Sequence, residues 1–199
     1  MFKLFKTLKF ITLLSLISMQ TSCAILASLS LATSTLVSRD DRSVGTQIDD
    51  KVIANKIRLQ YSQVGFEDYM ANISVSVIEG RVLLVGNVGN EVIFDNAEKI
   101  AWAVKGVKEV INEITVNPGK IIHRADDIWI ANQIRAKYIL EKGLSSVNFK
   151  VEVYDKVVYL FGIAKNQAEL DKAIGITTAI HGVVRVVNHA IMRNDPRRS

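Results

Sequence analysis

The chain contains two copies of one sequence pattern, and this duplication limits the folds that it can adopt. The first copy opens with DDKVIANKIR at Asp49, and the second opens with DDIWIANQIR at Asp126. Both copies close with Gly-Val-x-x-Val-x-Asn, at Gly106 and at Gly182. The offset of about 77 residues is too long for one solenoid repeat, so we interpret the pattern as a duplicated small domain.

Each copy is predicted to fold as helix, strand, strand, helix and strand. Alternating valines in ISVSVIEGRVLLVGNV from Ile73 and in FKVEVYDKVVYLFGIA from Phe149 are typical of half-buried strands. The second helices are predicted at about 91–104 and 166–180, and a glycine ends each of them. Two helices on one face of a three-stranded mixed sheet make each copy an α+β domain.

Local composition predicts the boundaries between the segments of the chain. Asn117-Pro118-Gly119 marks the boundary between the copies. The predicted segments are a signal peptide at 1–22, a lipidated linker at 23–47, a first domain at 48–117, a linker at 118–125, a second domain at 126–193 and a basic tail at 194–199. The sequence leaves open whether the two domains dock against each other.

The N-terminus resembles a bacterial lipoprotein signal. Three lysines precede the apolar segment Phe10 to Met19, and Thr21-Ser22-Cys23 follows it. Acylation would make Cys23, which is the only cysteine, the new N-terminus. Gln20 stands where that pattern usually has leucine. The alternatives are an ordinary cleaved signal and an uncleaved anchor over Phe10 to Val37, which contains no charged residue.

Charge is distributed unevenly between the two copies. Residues 39–118 hold 9 basic and 12 acidic side chains, a net charge of −3, whereas residues 119–199 hold 13 and 8, a net charge of +5. This asymmetry predicts an anionic partner for the second copy. Nucleic acid is not expected, because no basic stripe alternates with aromatic residues and a secretion signal precedes the domains.

The first helix of the second copy is predicted to have two apolar faces. It runs from Ala125 to Gly143, with Asp126 as its N-cap and Gly143 just past its end. The stripe that faces the core consists of Ile130, Ala131, Ile134 and Tyr138. Ile128 and Trp129 lie off that stripe. A second surface must bury this pair, and our hypothesis is that this surface is a membrane.

The off-stripe pair and the basic residues near it form a candidate phospholipid-binding site. Trp129 stands where the first copy has Val52. Tryptophan favours the headgroup level of a bilayer, and basic side chains attract anionic lipid. The predicted phospholipid-binding residues are Lys120, Ile121, Ile122, Arg124, Ile128, Trp129, Arg135 and Ile139. Two alternatives stay open: Trp129 packs against the first domain or a loop, and Arg135, which recurs as Arg58, forms a salt bridge within its own unit.

Catalytic and metal-binding motifs are not recognisable in the sequence. The pairs Asp49-Asp50 and Asp126-Asp127 open predicted helices, where carboxylates cap the helix and compensate its dipole. The histidines His123, His181 and His189 lack the spacing of metal ligands. No serine or cysteine lies in a nucleophile motif, and no glycine-rich loop follows a strand to bind phosphate. We therefore expect neither an enzyme nor a bound cofactor or metal.

Three features together resemble the BON domain. They are the paired acids followed by Ile-Arg on the first helix, the Val-x-Leu-x-Gly strand at Val82 to Gly86 and Val158 to Gly162, and the closing Gly-Val-x-x-Val-x-Asn pattern. The resemblance covers about residues 47–193. One departure is Lys156, which stands in the strand turn where the first copy has Gly80.

This resemblance implies a non-enzymatic protein of the Gram-negative periplasm. Family members with two such domains and a lipoprotein signal are anchored in the outer membrane and support envelope integrity, with an association with the division site. Their second domain binds anionic phospholipid, notably phosphatidylglycerol, through a tryptophan whose position Trp129 occupies. Envelope-assembly proteins are implied as further partners. A soluble branch of the family implies the alternative, a protein-interaction or chaperone-like scaffold.

Overall fold

A computed structural model describes residues 42–119 and 124–198, and each range holds one copy of the repeat. The predicted signal segment with Cys23 lies outside the described residues, and so do Lys120, Ile121 and Ile122 of the predicted lipid site. Within the described residues, none of the helices combines the length and the apolar character needed to cross a bilayer.

The first domain has the predicted order of helices and strands. Its elements are α1 (Val44–Val64), a π-helical turn (Phe66–Met70), β1 (Ile73–Ile78), β2 (Arg81–Val88), α2 (Glu91–Ala103) and β3 (Glu109–Val116). The sheet order is β1-β2-β3. Strand β2 pairs antiparallel with β1 and parallel with β3, so the sheet is mixed.

The second domain repeats this order with a divided last strand. Its elements are α3 (Arg124–Leu140), a 3-10 turn (Ser146–Asn148), β4 (Phe149–Tyr154), β5 (Val157–Ala164), α4 (Gln167–Thr178), β6 (Arg185–Asn188), β7 (Ile191–Met192) and a 3-10 turn (Pro196–Arg198). Both β6 and β7 pair parallel with β5. The single predicted strand is interrupted at His189 and Ala190, so this sheet has four strands.

Each sheet buries both of its faces. Val82 and Leu84 of β2 belong to the core that β2 forms with α1 and α2, and Val158 and Leu160 of β5 have the same place in the second domain. The opposite faces of the sheets pack against each other in a third cluster. Its buried members are Ile78, Leu83, Val85, Tyr159, Phe161, Ile163 and Ile191. The two domains therefore dock back to back, which the sequence left open.

The predicted helix starts were wrong for both first helices. Helix α1 begins at Val44, because the Ser43 side chain accepts a hydrogen bond from the Thr46 amide as N-cap. Helix α3 already includes Arg124, so Asp126 lies in its first turn and is not its N-cap. Helix α3 also ends at Leu140, before the glycine predicted to follow it directly.

The second aspartate of each pair holds a hairpin turn instead of capping a helix. Asp50 accepts hydrogen bonds from the backbone amides of Glu79 and Gly80 at 2.9 and 3.0 Å. Asp127 accepts from the amides of Asp155 and Lys156 at 2.9 and 2.8 Å. All four turn residues have positive φ, and both aspartates are buried. The second acid of each pair thus fixes the β1–β2 or β4–β5 turn, and the predicted capping was wrong. Asp126 and Asp127 do lie in the first turn of α3, where negative charge compensates the helix dipole, whereas the first turn of α1 has no acidic residue.

Candidate membrane-binding surface

Helix α3 presents apolar side chains on both of its faces. The predicted core stripe is confirmed, since Ile130, Ala131, Ile134 and Tyr138 are all buried. On the outer face, Ile128 is 59% exposed, Trp129 is 49% exposed and Ile139 is 67% exposed. These three side chains, together with Leu140, are hereafter called the outer face of α3. Half of the Trp129 side chain is therefore accessible.

Leu140 belongs to this surface and was missing from the predicted site. Its side chain is 81% exposed. It lies eleven positions after Trp129 (129 to 140), about three turns along the same side of the helix. The helical spacing could have identified it, because Leu140 follows Trp129 by eleven positions just as the predicted Ile139 follows Ile128.

Tyr138 holds α3 firmly on the domain core. Its hydroxyl donates to the Ala173 carbonyl at 2.9 Å and lies 2.6 Å from the Thr177 hydroxyl. Burial raises the pKa of Tyr138 to about 12, so the hydroxyl stays protonated at neutral pH. Tyr61 makes the equivalent bond to Ala97 in the first domain at 2.9 Å. The outer face of α3 is thus carried by a fixed helix.

Arg135 does not form the salt bridge that was one alternative for it. Its Nη2 atom donates to the Val151 carbonyl of β4 at 2.7 Å. Arg58 donates in the same way to the Val75 carbonyl of β1 at 2.5 Å. Strands β1 and β4 are edge strands, whose carbonyls have no strand partner on one side. The recurring arginine therefore satisfies an edge carbonyl in both domains.

Arg124 links the two domains. Its Nη2 atom donates to the backbone carbonyl of Ala71 and, at 3.2 Å, to the side-chain oxygen of Asn72. Both acceptors precede β1 of the first domain. Arg124 therefore lies between the domains, beside the outer face of α3.

A family model for the BON domain matches this chain twice, over residues 49–118 and 126–194. The chain belongs to the BON-domain family. Each BON domain thus corresponds to one of the two α+β units described above.

Several named proteins are similar to this chain. It is 38% identical over 153 residues to an "uncharacterized protein in gshII 5'region" of Anaplasma centrale, covering 76% of this chain and 99% of that protein. It is 31% identical over 152 residues to the outer membrane lipoprotein DolP of Haemophilus influenzae, covering 76% and 78%. It is 31% identical over 151 residues to the osmotically-inducible protein Y (OsmY) of Escherichia coli, covering 73% of each. The chain is a dual-BON protein of the DolP and OsmY type.

The two BON domains differ in the turn that the aspartate holds. Lys156 adopts a φ of 62° where the first domain has Gly80 at 77°. Its ammonium group lies 3.0 Å from Asp126, and both of these side chains are largely exposed. The replacement therefore leaves the turn in the same conformation and adds a positive charge at the surface.

His189 lies where the two domains meet and His181 is exposed, whereas His123 lies outside the described residues. His189 Nε2 lies 2.8 Å from Glu113 Oε1, where β3 of the first domain meets the break between β6 and β7. His181 is exposed beside Gly182. Within residues 42–119 and 124–198, histidine, cysteine, aspartate and glutamate side chains do not form a group of three that could hold a metal ion.

Proposed function

We propose that this protein is a non-catalytic outer-membrane lipoprotein that faces the periplasm and binds anionic phospholipid through its second BON domain. Acylation of Cys23 anchors the chain, and the outer face of α3 makes a second membrane contact. The observation that carries the proposal is the exposure of Trp129 and of three large aliphatic side chains on a helix whose other face already fills a core. The similarity to the outer membrane lipoprotein DolP of Haemophilus influenzae supports this location.

The lipid anchor and the second contact have different roles. Lipid on Cys23 would hold the chain at the membrane, and the outer face of α3 would make its position there depend on lipid composition. Tryptophan and isoleucine side chains on the outer face of α3 gain free energy when they leave water at the headgroup level. Basic residues beside an anionic surface add about 1 kcal/mol each, so the binding depends on lipid charge. The protein then gathers where anionic lipid is enriched and supports envelope integrity there, including at the division site and together with envelope-assembly proteins.

Vesicle flotation tests the membrane contact. Residues 40–199, which form one compact unit and lack Cys23, are mixed with vesicles containing phosphatidylglycerol or only phosphatidylcholine. Binding is expected to phosphatidylglycerol, and Trp129→Glu is expected to abolish it, because a carboxylate at the headgroup level is repelled and poorly solvated.

Trp102 provides the matched control. This tryptophan of α2 is also 49% exposed but belongs to the first BON domain. Trp102→Glu makes the same chemical change and is expected to leave flotation unchanged. Undiminished flotation of Trp129→Glu, or an equal loss in both variants, would contradict the proposed site.

A second candidate function is a protein-interaction or chaperone-like scaffold. It is favoured by an exposed apolar stripe on α1, where Val44, Ile48, Val52 and Leu59 are 58%, 56%, 43% and 59% exposed. The similarity to OsmY is equally compatible with it. Two results together would favour this function. The protein would fail to float with vesicles, and it would keep an unfolded polypeptide soluble, an ability that Ile48→Glu would remove.

A further inference from the structure

A groove of about 430 Å³ lies between the two BON domains, beside the outer face of α3. The groove is lined by Arg58 of the first domain and by Arg124 and Arg135 of the second domain. Ile128 forms part of its wall. Ile128 therefore belongs both to the groove and to the outer face of α3. A molecule in the groove would extend directly onto the surface that we propose for membrane contact.

The three guanidinium groups are positioned but not neutralised. Each donates through Nη2 to carbonyl or amide oxygens, as described above. In the described part of the chain, their Nε and Nη1 atoms have no hydrogen-bond partner, and none of Arg58, Arg124 and Arg135 pairs with a carboxylate. Arginine presents its donors as a planar fork that matches phosphate oxygens. The groove is thus lined by three arginines whose Nε and Nη1 donors are unused within the described residues.

Two carboxylates also line the groove, and their oxygens are already used. Glu152 accepts hydrogen bonds from the hydroxyls of Ser74 and Ser76 at 2.8 and 2.6 Å. Asp127 accepts from the two amides of the β4–β5 turn. The groove is lined by three arginines and two carboxylates, so its net charge is positive. The hydrogen-bond donors that remain unused are those of the arginines.

Tyr154 also lines this groove. Its oxygen is buried and has no hydrogen-bond partner within residues 42–119 and 124–198. Burial raises the pKa of Tyr154 to about 12, although Arg124 acts to lower it, so the group carries its proton at neutral pH. Because this oxygen is closed to solvent, the arginines and not Tyr154 supply the donors for a ligand in the groove.

We propose that this groove binds the phosphodiester headgroup of an anionic glycerophospholipid, with Arg58, Arg124 and Arg135 as donors to the phosphate. The acyl chains would leave the groove over Ile128, toward the outer face of α3. The site takes residues from both BON domains, so it is complete only when they are docked. This inference rests on the proposed function and adds that the first domain takes part in lipid recognition.

Solution NMR of residues 40–199 tests the inference. The probe is short-chain phosphatidylglycerol below its micelle concentration, compared with short-chain phosphatidylcholine and with glycerol phosphate. Phosphatidylglycerol is expected to shift the amide resonances of Asn72 and Ser74 in the first domain together with that of Tyr154 in the second. The two comparison compounds are expected to give clearly smaller shifts at the same concentration.

A charge-removing variant tests the phosphate donors. Arg124→Gln is expected to weaken binding of the short-chain lipid at least about tenfold, the loss expected for one hydrogen bond between charged groups. Lys137→Gln removes the same charge from an exposed site of α3 outside the groove and is expected to change the affinity less than about twofold. Thermal unfolding verifies that each variant is folded. The resonance mapping on the unaltered chain decides the question if Arg124→Gln does not fold.

Three results would overturn the inference. Shifts confined to α3, with full affinity in Arg124→Gln, would exclude the groove but leave the contact made by Trp129 standing. Equal binding of glycerol phosphate would indicate a site for free phosphate instead of lipid. Absence of binding to phosphatidylglycerol vesicles by the unaltered chain would remove the proposed function together with this inference.

Discussion

Asp50 and Asp127 each stabilise a turn that lies far from them in the sequence. The carboxylate of Asp127 binds the amides of Asp155 and Lys156, whose φ angles are 51° and 62°. Such angles cost a residue with a side chain roughly 1–2 kcal/mol. Two hydrogen bonds to a buried carboxylate offset this strain. A lysine can therefore occupy a position where the first domain has glycine.

Removal of this carboxylate should destabilise the second domain. Asp127→Asn is expected to lower the free energy of unfolding by about 1–3 kcal/mol, because one acceptor oxygen is lost at a buried site. Asp126→Asn is the matched control, since Asp126 makes only a largely exposed pair with Lys156 and should change stability by less than about 0.5 kcal/mol. Urea denaturation of both variants measures the difference. Equal effects would contradict the assigned role of Asp127.

Sequence reasoning could not identify this role, because the partners of Asp127 lie 28 and 29 positions away in the chain. A pair of acids before an apolar helix has the pattern of a cap, and local pattern was the only information available. For Arg135, the alternative of a salt bridge within its own unit was wrong for a similar reason. Its partner is a backbone carbonyl, which no residue type in the sequence reveals.

At the scale of helices and strands, the repeat and its periodicity were sufficient for the fold. The order of elements and the core stripe of α3 followed from apolar spacing alone. The docking of the domains was less evident, although β2 contains the uninterrupted apolar run Val82-Leu83-Leu84-Val85. Such a run is typical of a strand buried on both faces, so Leu83 and Val85 already indicated a second buried face.

The glycine of the Val-x-Leu-x-Gly strand has a steric role. A Cβ atom on Gly162 would overlap the backbone carbonyl oxygen of Asn148, and Gly86 is in the same position relative to Asn72. Gly162→Ala should therefore lower the free energy of unfolding by about 1–3 kcal/mol, because the backbone must shift.

Gly175 offers a control of opposite sign. It is an exposed residue of α4, and a Cβ atom there would meet nothing within 4 Å. Gly175→Ala should raise the free energy of unfolding by about 0.5–1 kcal/mol through helix propensity. Thermal unfolding separates the two substitutions, and a stabilising Gly162→Ala would exclude the steric explanation.

At the scale of the whole molecule, polar contacts surround the third cluster. Lys150 donates to the Val77 carbonyl at 2.9 Å, and Arg81 places its guanidinium 5.2 Å from the ring centre of Phe161. Burial lowers the pKa of Lys150, whose side chain is partly buried where the domains meet. The two BON domains thus share apolar, polar and charged contacts.

Because of these shared contacts, residues 40–199 should unfold in one cooperative transition. Calorimetric and van't Hoff enthalpies should agree, and Phe161→Ala should cost about 3–5 kcal/mol because it empties the cluster between the sheets. Phe66→Ala is the control, since Phe66 is 64% exposed and its removal should have little effect. Two resolved transitions in the unaltered chain would contradict the shared core.

The two sheets bury the faces that they turn toward each other, and this burial limits how the gene can change over time. A solitary BON domain can carry polar residues on the back of its sheet, but here Leu83 and Phe161 occupy that side. A deletion of either domain would expose an apolar surface on the remaining domain and favour its aggregation. A soluble one-domain version of this chain would therefore need polar substitutions at several of these positions as well as the deletion.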